Sequence, residues 1–311
     1  MKKQIIIIAG PTAVGKTEYA IETAKAINGK IVSADSMQLY KYMDIGSAKP
    51  TAEELSQVKH YLVDEIDPRE KFSVAQYQKL AKAAIREIFD KGRVPVISGG
   101  TGLYINSLMY EMDFAAPPSD EAFRKELEDT ALKKGRDYLH SKLAELDPDA
   151  AARIHPNNVK KVIRAIEAAQ NGNKIKDFNN AQIPAADYDV LLAGLTRDRA
   201  ELYERINRRV DILIERGLAD EVSSLMQMGL GYDDISMKGI GYKEIIGSLE
   251  GKYTIDEAIE LIKKNTRHYA KRQLTWLRRY DNIKWFNLSS YEDKAMAMGD
   301  ILKWLRTNAN R

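Results

Sequence analysis

The sequence predicts an α/β fold in which a parallel sheet flanked by helices is interrupted by an all-helical subdomain. Three observations carry this. A β-branched run, QIIIIA at 4–9, leads straight into GPTAVGKT at 10–17. Strand-like apolar runs then alternate with helix-periodic segments as far as Gly100. A charged block without a strand pattern separates this part from a renewed strand signal at 187–196.

The elements follow in order. Residues 4–9 are bounded by Gly10-Pro11 and read as a buried strand. KTEYAIETAKAI (16–27) carries apolar side chains at helical spacing. KIVSAD (30–35) and HYLVDEI (60–66) read as strands on either side of a long polar loop. FSVAQYQKLAKAAIREIFDKG (72–92) is an amphipathic helix ended by Gly92, and VPVISGG (94–100) is another buried strand. The pattern breaks near Phe114-Ala-Ala-Pro-Pro118, and only helix-like segments follow from 119 to about 180. Gly172 and KDFNNAQIP (176–184) mark the exit from this block. DYDVLLAGLT (187–196) restores a strand, and helical patterns run over 199–217, 219–228 and 254–280. The expected division is a core of 1–115 with 187–311, and a helical insertion of 116–186. Alternating strands and helices favour parallel pairing through crossover helices.

A chain of 311 residues with 44% hydrophobic content can bury a large core and a smaller one. Net charge is +3 and pI about 8.7, a mild basic excess whose distribution matters more than its total. The absence of cysteine excludes disulfides, thiolate zinc sites and cysteine nucleophiles. Ile5–Ala9 is too short to span a bilayer and lacks the features of a signal peptide. The expectation is a soluble, cytoplasmic protein that makes no membrane contact. The histidines at 60, 140, 155 and 268 show no metal-ligand spacing, and Trp276, Trp285 and Trp304 are read as packing residues.

GPTAVGKT matches G-x-x-x-x-G-K-[ST] between a strand and a helix, the context in which that pattern cradles phosphates. Gly10, Pro11, Thr12, Ala13, Val14 and Gly15 would turn backbone amides and a helix N-terminus towards an anion. Lys16 would reach the terminal phosphate region and Thr17 would ligate Mg²⁺. Read alone, such a loop points to ATP or GTP; an ordinary glycine turn is the bland reading. In ADSMQLY (34–40), Asp35 stands at a strand's carboxyl end, where open α/β sheets place ligands. It would act as a general base, or ligate Mg²⁺ through water, or merely cap a turn. In SGGTGLY (98–104), Thr101 offers a hydroxyl at the same sheet edge. Only KIVSAD resembles an apolar strand ending in the metal-binding aspartate of a nucleotide hydrolase, and VPVISGGT ends in threonine.

Cationic residues gather in three runs: Lys160, Lys161 and Arg164; Arg199, Arg205, Arg208, Arg209 and Arg216; and the segment 263–279, which holds Lys271 and Arg272 with Tyr269 and Trp276 interleaved. Such runs suit a nucleic-acid backbone with stacked, unpaired bases, although charged helices are commonly just solvated faces.

On these residues the chain resembles the bacterial tRNA dimethylallyltransferases, or isopentenyltransferases. The matching stretches are GPTAVGKT, DSMQLY (35–40), YMDIGSAKP (42–50), GGTGLY (99–104) and HPNNVKKVIRAIE (155–167). Further on come RINRRVDILIERGLADEV (205–222), IGYKE (240–244) and TRHYAKRQLTWLRR (266–279), so the resemblance spans nearly the whole chain in order.

The resemblance implies a P-loop kinase-like core with a helical insertion that grips the tRNA anticodon stem-loop. It implies transfer of a dimethylallyl group from dimethylallyl pyrophosphate to N6 of adenosine 37, with release of pyrophosphate. It implies pyrophosphate contacts from Thr12, Arg209 and Arg205, and catalysis by Asp35, Thr101, Lys16 and Arg209, with Asp35 as base. It also implies tRNA contacts from Ser36, Met37, Gln38, Thr101, Arg124, Lys160, Lys161 and Arg164, with Lys271 and Arg272 on the same surface. Gln38 is suited to an adenine edge, and an exocyclic amine is reached by unstacking its base. Mg²⁺ is the expected cofactor and a monomer the expected state. Eukaryotic members add a C-terminal zinc finger, which a chain without cysteine lacks. The alternatives are an ATP-dependent small-molecule kinase and a noncatalytic P-loop RNA-binding protein. A kinase needs no basic helices, and a binding protein needs neither Asp35 nor GGTGLY.

Overall fold

The structure is a computed structural model that describes residues 3–112, 120–174, 183–185 and 187–309. It divides into two units, residues 1–109 with 185–311 and residues 110–184. The expected boundaries at 115/116 and 186/187 each touch residues outside the description, as do Phe114–Pro118 and most of KDFNNAQIP.

In the first unit β1 (Gln4–Ala9) leads through the glycine-rich turn into α1 (Lys16–Ala26) and β2 (Gly29–Ala34). A long loop then holds α2 (Ala52–Gln57) and β3 (His60–Tyr61) before α3 (Val74–Asp90), β4 (Val94–Gly99) and α4 (Gly102–Met109). The second unit contains α5 (Glu121–Lys134), α6 (Arg136–Leu146), α7 (Pro148–Arg153) and α8 (Val159–Gln170). The first unit resumes with β5 (Asp189–Thr196), α9 (Arg199–Glu215), α10 (Leu218–Gln227), α11 (Tyr242–Leu249) and α12 (Ile255–Leu277). It closes with β6 (Lys284–Asn287) and α13 (Lys294–Asn308).

All six strands are parallel, in the order β3-β2-β4-β1-β5-β6. β1 is interior and nearly every side chain on it is buried, as its unbroken isoleucine run requires of a strand covered on both faces. The chain leaves β1 towards one edge, returns at β4, and crosses to β5 on the other side of β1. That reversal opens a crevice at the strands' carboxyl ends.

One apolar cluster joins the sheet to α1 and α13 through Ile8, Ala20, Val96, Leu195, Phe286 and Ile301. A second, built on Val222, Tyr242, Ile245, Ile246 and Ile262, lies under the loop around Met43. In the second unit Leu127, Leu139, Leu143, Val162, Ile163 and Ile166 form a separate core, and Glu111 N donates to Ile183 O at 2.8 Å where the segment's ends meet. Among the described residues no helix is long and apolar enough to cross a membrane.

The strand expected over 60–66 shrinks to His60–Tyr61, because Leu62 and Asp64 take left-handed φ values of +60° and +62° and turn the chain out of the sheet. KWFN at 284–287 is a strand that the pattern did not predict, being only four residues long and preceded by a turn. Short α2 owes its start to a reciprocal Thr51–Glu54 capping box rather than to an apolar face. Trp304 packs edge-on against Phe286 at 5.8 Å between ring centroids, consistent with a packing role.

The tightest point of the sheet is Gly99, where an added Cβ would stand 2.2 Å from the carbonyl oxygen of Ala34 on the neighbouring strand. Gly99→Ala is expected to force β2 and β4 apart at a cost of about 1–3 kcal/mol, read as a lower urea midpoint with unchanged m-value. An unaltered midpoint would show that the strand ends yield freely.

Candidate active site

The loops after β1, β2, β4 and β5 leave the sheet at one edge. The first is the phosphate loop. Gly15, at φ +111°, supplies the left-handed turn that starts α1, so the helix N-terminus faces the crevice. Lys16 Nζ donates to the loop's own Pro11 O at 2.8 Å. The residue as a whole is half-buried, but its ammonium lies deep among protein atoms. Loss of solvent there pushes its pKa down to about 8; the Asp35 carboxylate opposes the fall and the Arg209 charge adds to it.

Arginines from the far side of β5 complete the cradle. Arg205 Nε donates to Ala13 O at 3.0 Å and Arg197 Nε to Val14 O at 3.1 Å. Arg197 also pairs with Glu201, whose other oxygen accepts from Ser289 Oγ. Arg209 lines the cleft directly, and burial lowers its pKa from the usual guanidinium value. Of the arginines expected at the pyrophosphate end, Arg209 therefore faces the cleft and Arg205 braces the loop. Arg197 was not expected; its position just after β5, level with the phosphate loop, is a signal visible only once β5 and β1 are paired.

Asp35 is the first residue after β2. Its Oδ1 accepts from Met37 N at 2.9 Å and Gln38 N at 3.4 Å. Among the described residues none donates to Oδ2. The carboxylate thus caps its own turn with one oxygen while the residue lines the cleft. Gln38 is held at both ends: its Oε1 accepts from Ser33 Oγ and its Nε2 donates to Ala48 O, each at 3.2 Å. Thr101 Oγ1 accepts from Ser36 N at 3.1 Å, tying the β4 loop to the β2 loop. Met37 packs on the apolar cluster beneath this loop.

Gln273 of α12, another residue not singled out by the motifs, joins two loops. Its Oε1 accepts from Thr12 N and its Nε2 donates to Gly100 O, both at 2.9 Å. It is buried, at a core-facing position of a helix whose other inward residues include Ala270 and Leu277. A glutamine at an apolar position of the helical period was the available signal. Tyr269, one turn earlier, has its phenol pushed up to about 12, chiefly by burial and then by the Asp35 charge.

Thr12, Lys16, Thr17, Asp35, Gln38 and Arg209 together line a cleft of about 180 Å³, with Ser47 and Glu54 at its margin. A larger cavity of about 300 Å³ beside Lys3, Lys82 and Tyr188 shares none of these residues. The cleft therefore brings the phosphate loop, Lys16 and Arg209 together with a carboxylate and an amide. That suits an anionic leaving group and a proton-bearing nucleophile. Thr17 with the carboxylates of Asp35 and Glu54 is a donor set compatible with a hard cation that keeps most of its water.

The expected RNA-facing residues divide. Lys160, Lys161 and Arg164 are exposed on α8, opposite its buried Val162, Ile163 and Ile166. Arg124 pairs with Glu167, donating through Nε at 2.9 Å and again through Nη2. Glu167 also accepts from Asp120 N at the start of α5, so Arg124 serves to lock α5 to α8. Lys271 and Arg272 are exposed on α12, Arg272 lying over the Tyr269 ring at 5.6 Å.

Known proteins resemble the chain over nearly its whole length. The family model described as IPP transferase matches residues 38–280. A protein named tRNA dimethylallyltransferase from Alkaliphilus oremlandii is 53% identical over 311 residues, covering 100% of this chain and 99% of the relative. One of the same name from Clostridioides difficile is 51% identical over 307 residues, covering 98% and 99%. The crystal structure of full-length tRNA isopentenylpyrophosphate transferase from Bacillus halodurans superposes with a TM-score of 0.75 at 44% identity, covering 99% of this chain and 96% of that one. A eukaryotic dimethylallyltransferase acting on tRNA gives 0.77 at 28% identity, covering 99% and 76%. The chain belongs to the IPP transferase family.

Proposed function

We propose that this protein is a tRNA prenyltransferase that moves a dimethylallyl group from dimethylallyl pyrophosphate to N6 of adenosine 37. The observation that carries this reading is the cleft, where the phosphate loop and Arg209 share a space of about 180 Å³ with Asp35. The N6 lone pair forms a bond to C1 of the prenyl chain as the C1–O bond breaks and its electron pair leaves with pyrophosphate. The amino proton passes to Asp35 Oδ2. Charge grows on pyrophosphate during this step, and fixed amides with Lys16 and Arg209 stabilise that charge where it develops. Mg²⁺ held at Thr17 would neutralise the same oxygens. Thr101 keeps the Asp35 turn in place through Ser36, and Gln38 offers its amide to the adenine edge. Lys160, Lys161, Arg164, Lys271 and Arg272 are exposed cations available to the RNA backbone.

An ATP-dependent kinase is less well supported. β4 ends in Gly99-Gly100-Thr101 with no acid to hold the metal of a nucleotide triphosphate, and the exposed basic residues of α12 would have no task.

Two outcomes are expected. With Mg²⁺, unmodified tRNA and dimethylallyl pyrophosphate, nucleoside analysis should find the N6-prenylated adenosine, and Asp35→Asn should lower single-turnover transfer by about 10²- to 10⁴-fold while tRNA binding stays within twofold. Full transfer by Asp35→Asn would remove the base from this account.

The second concerns pH. Bound pyrophosphate favours the charged lysine, so donor affinity should be complete below about pH 8 and fall up to tenfold per pH unit above it. Calorimetry should show this fall in the wild type and not in Lys16→Met, which binds weakly throughout. A flat wild-type profile would mean that Lys16 does not meet the anion.

A further inference from the structure

The loop 42–50, YMDIGSAKP, belongs to no strand or helix, yet it contributes one side of the cleft. Ser47 lines it, and Ala48 O receives the Gln38 amide. Tyr42 and Ala48 have left-handed backbone, at φ +64° and +46°. Non-glycine residues keep that geometry only where surrounding structure over-determines it.

What over-determines it here is one carboxylate from α10. Glu221 Oε2 accepts from Asp44 N at 2.7 Å and Ile45 N at 2.6 Å, and Oε1 from Gly46 N at 2.9 Å. Oε1 also accepts from the buried Tyr242 hydroxyl at 2.9 Å, and the Tyr242 oxygen in turn accepts from Ser47 N at 3.0 Å. Four successive amides, 44 to 47, thus close on two side chains about 175 to 195 positions away in the chain. Bonds to an ionised carboxylate are the strong ones. Lys49 adds an outer tie to Asp44 at 2.6 Å and Asp64 at 2.7 Å.

We propose that Glu221, acting with Tyr242, is a positioning residue for the transfer reaction: it fixes loop 42–50, and through Ala48 O it fixes the Gln38 amide that meets the adenine. The proposal rests on the reading of Gln38 as an adenine contact. It separates Glu221 from the groups that bind the donor, which hang from the phosphate loop, and from the exposed cations that bind RNA. Loss of the latch should therefore degrade the placement of the nucleophile without degrading binding of either substrate.

The test compares the wild type with Glu221→Gln, Tyr242→Phe and the double variant. Glutamine keeps the shape but turns an amide N–H towards backbone N–H groups. Four quantities are read: kcat, KM for dimethylallyl pyrophosphate, Kd for unmodified tRNA, and hydrogen exchange of the amides at 44–47. For Glu221→Gln we expect faster exchange at 44–47 and kcat lowered about 10- to 100-fold, with KM and Kd within twofold. Because both side chains serve one network, the double variant should be no worse than Glu221→Gln. Tyr242→Phe, which leaves the carboxylate in place, should show the same pattern at smaller amplitude, and it judges the proposal if Glu221→Gln does not fold. Faster exchange with unchanged kcat would reduce the latch to a stabilising contact and overturn the proposal, as would unchanged exchange. A wild type that transfers no prenyl group would refute the functional reading instead, and the exchange data would still decide whether the latch exists.

Discussion

Everything in the cleft depends on the level at which three neighbouring strands end beside a fourth. Ala34 pairs with Gly99, Gly99 with Ala9, and Ala9 with Gly194, so β2, β4 and β1 finish side by side, while β5 runs on to Thr196. Parallel pairing makes this possible, since every strand then points its carboxyl end the same way. The phosphate loop, the Asp35 turn and the Thr101 turn begin at that line, and Arg197 follows the longer β5 beside them. Small residues at the line matter as much as the pairing, because the backbones there leave no room for a Cβ on Gly99.

Level strand ends bring the loops near one another; side chains from distant helices then fix them. Gln273 joins the phosphate loop to the β4 loop, Thr101 joins the β4 loop to the β2 loop, and Arg197 and Arg205 hold the phosphate loop's carbonyls. Preorganisation of this kind is what lets amides and cations stabilise developing charge without rearranging when the reaction occurs. Its electrostatics are balanced rather than uniformly positive. Burial lowers the proton affinity of Lys16 and Arg209, Asp35 raises it, and neighbouring arginines lower it further. The cleft can therefore hold an anionic leaving group with a carboxylate among its lining residues.

Much of this was legible in the sequence, for physical reasons. β1, β4 and α3 announce themselves because buried strands and amphipathic helices impose long periodic patterns. The phosphate loop is legible because its geometry demands glycines and a lysine at fixed spacing. Asp35 and Thr101 could be placed because they follow strands directly. The residues that were missed act through tertiary pairing: Arg197 and Glu221 have no local pattern, and Gln273, marked only by its apolar place in the helical period, takes its role from an amide and a carbonyl far away in the chain. Arg124, which the resemblance set against tRNA, pairs with Glu167, a partner that no local pattern announces. β6 and the shortened β3 were misjudged because a strand of two to four residues carries too little periodicity to read.

The central claim is that the phosphate loop holds a leaving group carrying a prenyl chain and not a nucleotide that donates phosphate. The most direct measurement offers the protein both donors in parallel reactions with unmodified tRNA and Mg²⁺. One donor is dimethylallyl pyrophosphate labelled in its carbon chain; the other is ATP labelled in its terminal phosphate. The account predicts that carbon label enters RNA in proportion to pyrophosphate released, and that no phosphate label leaves ATP for any acceptor. Phosphate transfer from ATP, with the carbon label remaining on the donor, would contradict it.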